Sequence, residues 1–95
     1  MDYKIIWSSR VLTEFKSIVH FLNDNWGNKS ASNFASKFLS KIERLENFPL
    51  SGSESSLRIG LRKILITKHN YLLYEIIENR VELFSIIDTR QAQSN

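Results

Sequence analysis

The spacing of apolar residues changes along the chain and divides it into predicted elements. Residues 3–7 read YKIIW, a short β-branched and aromatic run that predicts a strand from Tyr3 to Trp7. Ser8 and Ser9 then offer a helix N-cap. Beyond them apolar residues recur every three or four positions, which predicts a helix with one buried face. This first stripe consists of Val11, Leu12, Phe15, Ile18, Val19, Leu22 and Trp26.

A second helical stripe follows after a short connection. Gly27 is expected to end the first helix, and Asn28 or Ser30 to cap the second. Pro49 ends the second helix, because the residue before a proline is pushed out of helical geometry. The short connection predicts that the two helices are antiparallel neighbours. The second stripe consists of Ala31, Phe34, Ala35, Phe38, Leu39, Ile42 and Leu45.

The last third of the chain has a period of two, which is typical of strands. It follows a segment from Leu50 to Ser56 that is rich in serine and is expected to be a flexible loop. Because tight turns join the three predicted strands, they form an antiparallel meander. Their ranges are Leu61–Thr67, Tyr71–Ile77 and Val81–Ile87. The sequence therefore predicts one α+β domain over residues 1–95, with an N-terminal strand, a helical hairpin and a small, mostly antiparallel sheet.

Composition narrows the class of function. A hydrophobic content of 42% argues against disorder. The chain has no cysteine, and its two histidines are far apart in sequence, so no disulfide, metal site or other cofactor is expected. The N-terminal residues do not resemble a signal peptide, and no apolar run approaches the roughly 18 residues that span a bilayer. We therefore expect a cytoplasmic protein without a membrane partner.

The positive charge is concentrated near the first strand of the meander. The formal net charge is only +3, yet residues 58–69 contain four cations and no carboxylate. These cations are Arg58, Arg62, Lys63 and Lys68. Tyr71 and Tyr74 follow on the next predicted strand. A cationic, aromatic sheet surface can bind RNA or an acidic protein surface.

Alternation along a strand limits how these residues can be combined. Arg62 and Lys63 are adjacent, so they point to opposite faces of the sheet, and one of them can be a solvated charge. Tyr71 and Tyr74 also point to opposite faces, so at least one belongs to the core. Trp26 is expected to be a structural wedge at the tip of the helical hairpin.

The order of these elements resembles the ParE/RelE superfamily of bacterial toxins from type II toxin–antitoxin systems. The likeness covers essentially the whole chain. It is carried by the segments KIIWSSRVLTEF, NDNWGNKSASNF and IERLENFPLSGS, the Leu-Arg-Lys strand, the strand from Tyr71 to Tyr74, and the ending SIIDTRQ. Trp-Gly between the helices and Phe-Pro after the second helix resemble the ParE branch more closely.

The resemblance implies a cytosolic toxin that a small cognate antitoxin neutralises. ParE-like members bind DNA gyrase and block it without nuclease chemistry, whereas RelE-like members cleave mRNA on the ribosome. The ParE-like activity is the leading interpretation, and RelE-like mRNA cleavage is the alternative. An inactive relative that only binds an antitoxin is a third possibility.

The candidate residues weaken the nuclease alternative. Arg62 stands where the resemblance implies a functional lysine of the RelE branch, and Arg90 stands near that branch's C-terminal arginine. However, Ile64 replaces a second RelE lysine, Tyr71 replaces an arginine, and no Tyr or His follows Arg90. Since RNA cleavage needs an acid, a base and a cation, an enzymatic activity is disfavoured. If the chain is a nuclease, Arg62, Tyr71 and Arg90 are the catalytic candidates.

If the protein acts by binding, the same cationic residues are expected to contact its target. The expected contacts with the target are Arg58, Arg62, Lys63, Lys68 and Arg90. Phe21 lies off the main stripe of the first helix, and an exposed apolar patch around it would suggest a docking site for an antitoxin helix. Tyr74 is the second residue predicted to contact the antitoxin.

Overall fold

The computed structural model describes residues 2–89. Its elements follow in the order β1 (Lys4–Ile6), α1 (Ser9–Trp26), α2 (Asn28–Asn47), β2 (Ser53–Glu54), β3 (Leu61–Thr67), β4 (Asn70–Ile77) and β5 (Arg80–Asp88). A single 3-10 turn, Pro49–Ser51, connects α2 to β2. The predicted α+β class is confirmed.

The strands form one five-stranded sheet in the order β1-β5-β4-β3-β2. The meander of β3, β4 and β5 is antiparallel, as predicted, while β1 lies parallel to β5 at one edge. β1 is shorter than the predicted strand from Tyr3 to Trp7. The N–H of Tyr3 instead donates to the carbonyl of Glu46 in α2 at 2.7 Å, and the Trp7 ring packs on Phe38 at 5.4 Å.

Gly27 forms the whole junction between the helices. It has a φ of 94°, a conformation that favours glycine, and its N–H donates to the carbonyl of Asn23. It is also the N-terminal cap of α2, which has no side-chain cap bond. The predicted capping of α2 by Asn28 or Ser30 was therefore wrong, because the helix already begins at Asn28.

The segment predicted as a flexible loop from Leu50 to Ser56 is structured, so that prediction was wrong. Its Ser53 and Glu54 form β2, which pairs with Lys63 and Arg62 of β3. Serine-rich composition suggested a loop, but a two-residue strand is too short to produce a period that the sequence could reveal.

The core lies between the helical hairpin and one face of the sheet. Phe38 of α2 is completely buried, and its ring lies 4.9 Å from that of Phe15 in α1. Both apolar stripes are only partly covered: Leu39 is 53% exposed and Trp26 is 71% exposed. The expectation that Trp26 is a structural wedge was wrong, because Trp26 lines an open groove beside the turn between β3 and β4 and is not packed into the core.

Candidate binding surfaces

The predicted cations and tyrosines meet on the face of the sheet that the helices do not cover, which we call the open face. Lys63 and Leu65 of β3 point to this face, together with Tyr71 of β4, the partner of Leu65. The Lys63 Nζ lies 5.6 Å from the centre of the Tyr71 ring, a cation–π distance. The segment after β2 forms the opposite wall of a groove of about 520 Å³. The groove is lined by Ser53, Ser55, Ser56, Leu57, Lys63, Leu65, Tyr71 and Thr89.

Arg58 reaches a second aromatic side chain. Its guanidinium lies 5.2 Å from the centre of the Phe84 ring and 3.4 Å from a carboxylate oxygen of Glu75. Arg10, from the first turn of α1, lies 5.5 Å from the same ring. Phe84 is 38% exposed and sits in a β-bulge, where Leu73 pairs with Ser85 and leaves Phe84 without a partner on β4. Cations and aromatic rings therefore extend along the sheet from Tyr71 to Phe84.

Sequence reasoning missed Arg10 and Phe84. One signal was available, because a cation in the first turn of a helix is unfavourable next to the positive end of the helix dipole. An arginine there suggests another partner. Its partners are the Phe84 ring and Glu14, one turn further along α1, at 3.5 Å. The position of Phe84 depends on the bulge, which the sequence did not indicate.

Arg62 points away from the open face, as the alternation with Lys63 predicted. Its Nη2 donates to the carbonyl of Gly52 at 2.6 Å, with a longer contact of 3.4 Å to the carbonyl of Leu50. Its Nε is buried and has no hydrogen-bond partner. The guanidinium is therefore engaged with the chain itself. In this structure Arg62 does not join Arg58 and Lys63 on one surface.

Tyr74 faces the core and is completely buried. Its hydroxyl donates to the carbonyl of Pro49 at 2.7 Å and accepts from the N–H of Gly52 at 3.0 Å. Because the side chain has no exposed surface, it is not available to an antitoxin in this structure. The structure gives Tyr74 a role inside the fold instead, so the prediction of an antitoxin contact does not fit this residue. The expectation that at least one of Tyr71 and Tyr74 belongs to the core is met by Tyr74.

Lys68, another predicted contact, lies in the turn between β3 and β4. Lys68 is exposed, and its carbonyl accepts from the hydroxyl of Thr89 at 3.1 Å, while the Thr89 N–H donates to the carbonyl of His69 at 2.8 Å. These bonds hold the end of β5 beside the open-face groove. Arg90, predicted both as a target contact and as a catalytic candidate, lies outside the described residues.

Phe21 lies in an apolar groove, as the sequence suggested. It is 58% exposed and lines a space of about 550 Å³ between the second half of α1 and the turn at β3 and β4. Ile18, Leu22 and Trp26 add apolar surface on the helix, and His69 is among the residues on the opposite side. The groove exists because the sheet covers only the first part of the α1 stripe. We call it the α1 groove.

Residues 2–89 contain no group of three His, Asp or Glu side chains that could hold a metal ion. In the same residues, neither helix combines the length and the apolar character needed to cross a bilayer.

Comparison with known proteins identifies the family of the chain and solved structures with a similar fold. The family model of the ParE toxin of the type II toxin–antitoxin system parDE matches residues 5–93. A chain of the chromosomal ParDE system from P. aeruginosa superposes with a TM-score of 0.78 at 10% identity, over 90% of this chain and 95% of that one. A search of curated proteins found no significant match.

Other solved toxins share the fold at similarly low identity. The YoeB dimer structure from Staphylococcus aureus has a TM-score of 0.63 at 16% identity, over 90% of this chain and 94% of that one. The E. coli DinJ-YafQ toxin–antitoxin complex has a TM-score of 0.66 at 11% identity, over 96% and 97%. At these identities the likeness establishes the fold alone, whereas the family match spans nearly the whole sequence. The chain therefore belongs to the family of ParE toxins of type II toxin–antitoxin systems.

Proposed function

We propose that this toxin stops growth by binding DNA gyrase rather than by cleaving RNA, and that it acts in the cytoplasm. The observation that carries the proposal is the open-face groove. Among its lining residues in the described chain, Lys63 is the one charged side chain, and none is a carboxylate or a histidine. Such a surface can attract an acidic partner, whereas RNA cleavage would have to rely on Lys63 and the Tyr71 hydroxyl for acid–base catalysis. Membership of the ParE family favours gyrase as that partner.

Arg58 and Lys63 are the proposed contacts with the target, with Lys68 at the end of the groove. Each keeps a cation exposed on or beside the open face. The aromatic rings under two of them, Phe84 and Tyr71, fix the positions of these flexible side chains. Arg90 directly follows Thr89, which lines the groove, and is proposed as a further contact.

The test is supercoiling of relaxed plasmid DNA by purified gyrase in the presence of the toxin. We expect inhibition by the unchanged toxin, and a half-inhibitory concentration about two- to fivefold higher for Lys63→Gln, the effect of one exposed interfacial charge. Lys37→Gln removes another exposed lysine, from α2, and is the control. A toxin preparation that stops growth while leaving supercoiling unchanged would contradict the proposal.

Ribosome-dependent mRNA cleavage is the second candidate, and the pairing of Lys63 with Tyr71 favours it. A cation beside a phenol is a surface on which RNA can bind and stack. In a translation extract, this activity requires cleaved message that is lost with Lys63→Gln or Tyr71→Phe. Arg62→Ala is a poor test, because it removes the bonds between Arg62 and residues 50–52. Intact message at toxin concentrations that stop growth would reject this candidate.

A cognate antitoxin is the second proposed partner, and the α1 groove is its proposed site. The toxin in the DinJ-YafQ structure is solved in complex with an antitoxin. The α1 groove is open along a helix and apolar at Phe21, Leu22 and Trp26, which suits the apolar face of an amphipathic helix. Phe21 remains the proposed antitoxin contact, and Ile18, Leu22 and Trp26 join it.

A further inference from the structure

We infer that Arg62 and Tyr74 form a clamp that positions the wall of the open-face groove, so that Arg62 is a positioning residue and not a contact for the target. The inference rests on the proposed function in one respect, because it takes the open-face groove to be the surface that binds the target. The clamp itself is defined by bonds within the described chain.

Two side chains hold one short backbone segment from the sheet. Arg62 and Tyr74 are cross-strand partners on β3 and β4, so their side chains lie next to each other on the same face. The Tyr74 hydroxyl bonds to Pro49 and Gly52, and the Arg62 guanidinium bonds to Gly52 and Leu50. Both polar groups of the Gly52 backbone are thereby satisfied by side chains of the clamp.

Gly52 is the residue at which this segment touches the sheet. A Cβ atom at this position would lie 2.6 Å from the Tyr74 hydroxyl and would also overlap the carbonyl of Lys63. The φ of Gly52 is −81°, so glycine is required here by space and not by backbone conformation. The close approach shows that the clamp holds the segment directly against β3.

The wall of the groove begins at the next residue. Ser53 and Glu54 pair with β3, and the N–H of Ser55 donates to the carbonyl of Leu61 at 2.8 Å. Ser53, the cross-strand partner of Lys63, and the following Ser55, Ser56 and Leu57 line the groove together with Lys63 and Tyr71. A bond made on the covered face of the sheet therefore fixes the shape of the surface on the other face.

The Arg62 guanidinium could contact a target only by giving up hydrogen bonds within the chain. Swinging it outward would break its 2.6 Å bond to the carbonyl of Gly52 and its longer contact with the carbonyl of Leu50. The bonds to residues 50–52 account for its position without a target.

The deciding variant is Tyr74→Phe, which removes one oxygen atom that no partner can touch. We expect amide hydrogen exchange over residues 49–57 to become roughly tenfold faster, the factor expected when one or two buried hydrogen bonds are lost. Tyr71→Phe removes the other hydroxyl of β4, on the open face, and should leave this exchange unchanged. Arg62→Lys keeps the positive charge but lacks the planar guanidinium with its several N–H donors. We therefore expect it to speed exchange over residues 49–57 as Tyr74→Phe does.

Growth arrest by induced toxin in cells without antitoxin supplies the functional measurement. We expect Tyr74→Phe and Arg62→Lys to need several times more toxin for the same arrest, while both still bind antitoxin at the distant α1 groove. Unchanged exchange over residues 49–57 in Tyr74→Phe would overturn the clamp. Full toxicity of Tyr74→Phe beside loss of toxicity in Arg62→Gln would also overturn it, because Arg62 would then act as a contact.

This experiment separates the clamp from the proposed target. Growth arrest and hydrogen exchange do not depend on which molecule the toxin binds. If gyrase is unaffected but Tyr74→Phe loosens the wall and weakens arrest, the proposed function fails and the clamp stands. If gyrase is inhibited equally by the unchanged toxin and by Tyr74→Phe, the proposed function stands and the clamp fails.

Discussion

Single residues in this fold act through contacts that their neighbours in sequence do not reveal. Glu14 lies on the side of the first helix that the apolar pattern leaves polar, yet it is bonded to β5. Its carboxylate accepts from the N–H of Ile86 at 2.9 Å and from the hydroxyl of Ser85 at 3.0 Å. Ser85 and Ile86 directly follow the bulge at Phe84, so Glu14 satisfies backbone and side-chain donors where the ladder is interrupted.

Glu14→Ala should therefore destabilise the protein. The Ile86 N–H and the buried Ser85 hydroxyl would lose their acceptor, which costs about 1–3 kcal/mol. Glu43→Ala removes an exposed carboxylate from α2 and should change stability by less than about 0.5 kcal/mol. Urea unfolding of both variants measures the difference. Equal midpoints would mean that Glu14 contributes no more than a surface carboxylate.

At the scale of elements, the hydrophobic period identified both helices but overstated how much of each is buried. Leu39 and Leu45 belong to the same predicted stripe of α2. Leu45 is completely buried, whereas Leu39 is 53% exposed. The period of a helix gives the direction of the apolar stripe, but the width of the covered part depends on where the sheet ends.

These two leucines give a matched test of packing. Leu45→Ala should lower the free energy of unfolding by about 2–5 kcal/mol, because it removes buried methyl groups and leaves a cavity. Leu39→Ala should lower it by less than about 1 kcal/mol, since most of the side chain already contacts water. Thermal or urea unfolding compares them. Similar losses for both would show that α2 packs differently from the structure described.

At the scale of the whole molecule, two proposed surfaces lie on different sides. The open-face groove uses the uncovered face of the sheet, and the α1 groove lies on the helical side. An antitoxin helix in the α1 groove would leave the open face exposed. To neutralise the toxin, a further antitoxin segment would have to cover the open face, or the bound antitoxin would have to block the approach of the target sterically. The two grooves approach each other at the turn between β3 and β4, where His69 lines the α1 groove and Thr89, bonded to its carbonyl, lines the open-face groove. Variants that change one surface alone are therefore placed away from this turn.

Phe21→Asp should weaken antitoxin binding strongly, because it places a charge in the apolar groove. Phe48→Asp is the control, since Phe48 is 62% exposed but lies outside the α1 groove. Co-purification of each variant with the cognate antitoxin measures the effect. The rise in melting temperature on binding should be lost for Phe21→Asp only. Equal retention of both variants would exclude Phe21 from the interface.

The sequence predicted most of the fold, because each element repeats its own pattern over many residues. Periods of three to four and of two gave the helices and the three long strands, and the cations near β3 pointed to a charged sheet. The prediction failed for β2, which has two residues and no period, and for the capping of α2. Arg10 and Phe84 were missed because only the bulge in β5 brings them together with Arg58.

By itself, the sequence determined the class of fold and the family, because hydrophobic periods and the order of segments are local properties of the chain. Alternation along β3 already placed Arg62 and Lys63 on opposite faces, and only the tertiary structure decided which of these faces the helices cover and which cations share the open one. Arg62 and Lys63 are neighbours in sequence, but the pleat of β3 directs one toward the clamp and the other into the groove. Cross-strand pairing, and not sequence distance, then joins Arg62 to Tyr74 and separates it from the cations with which it was first grouped.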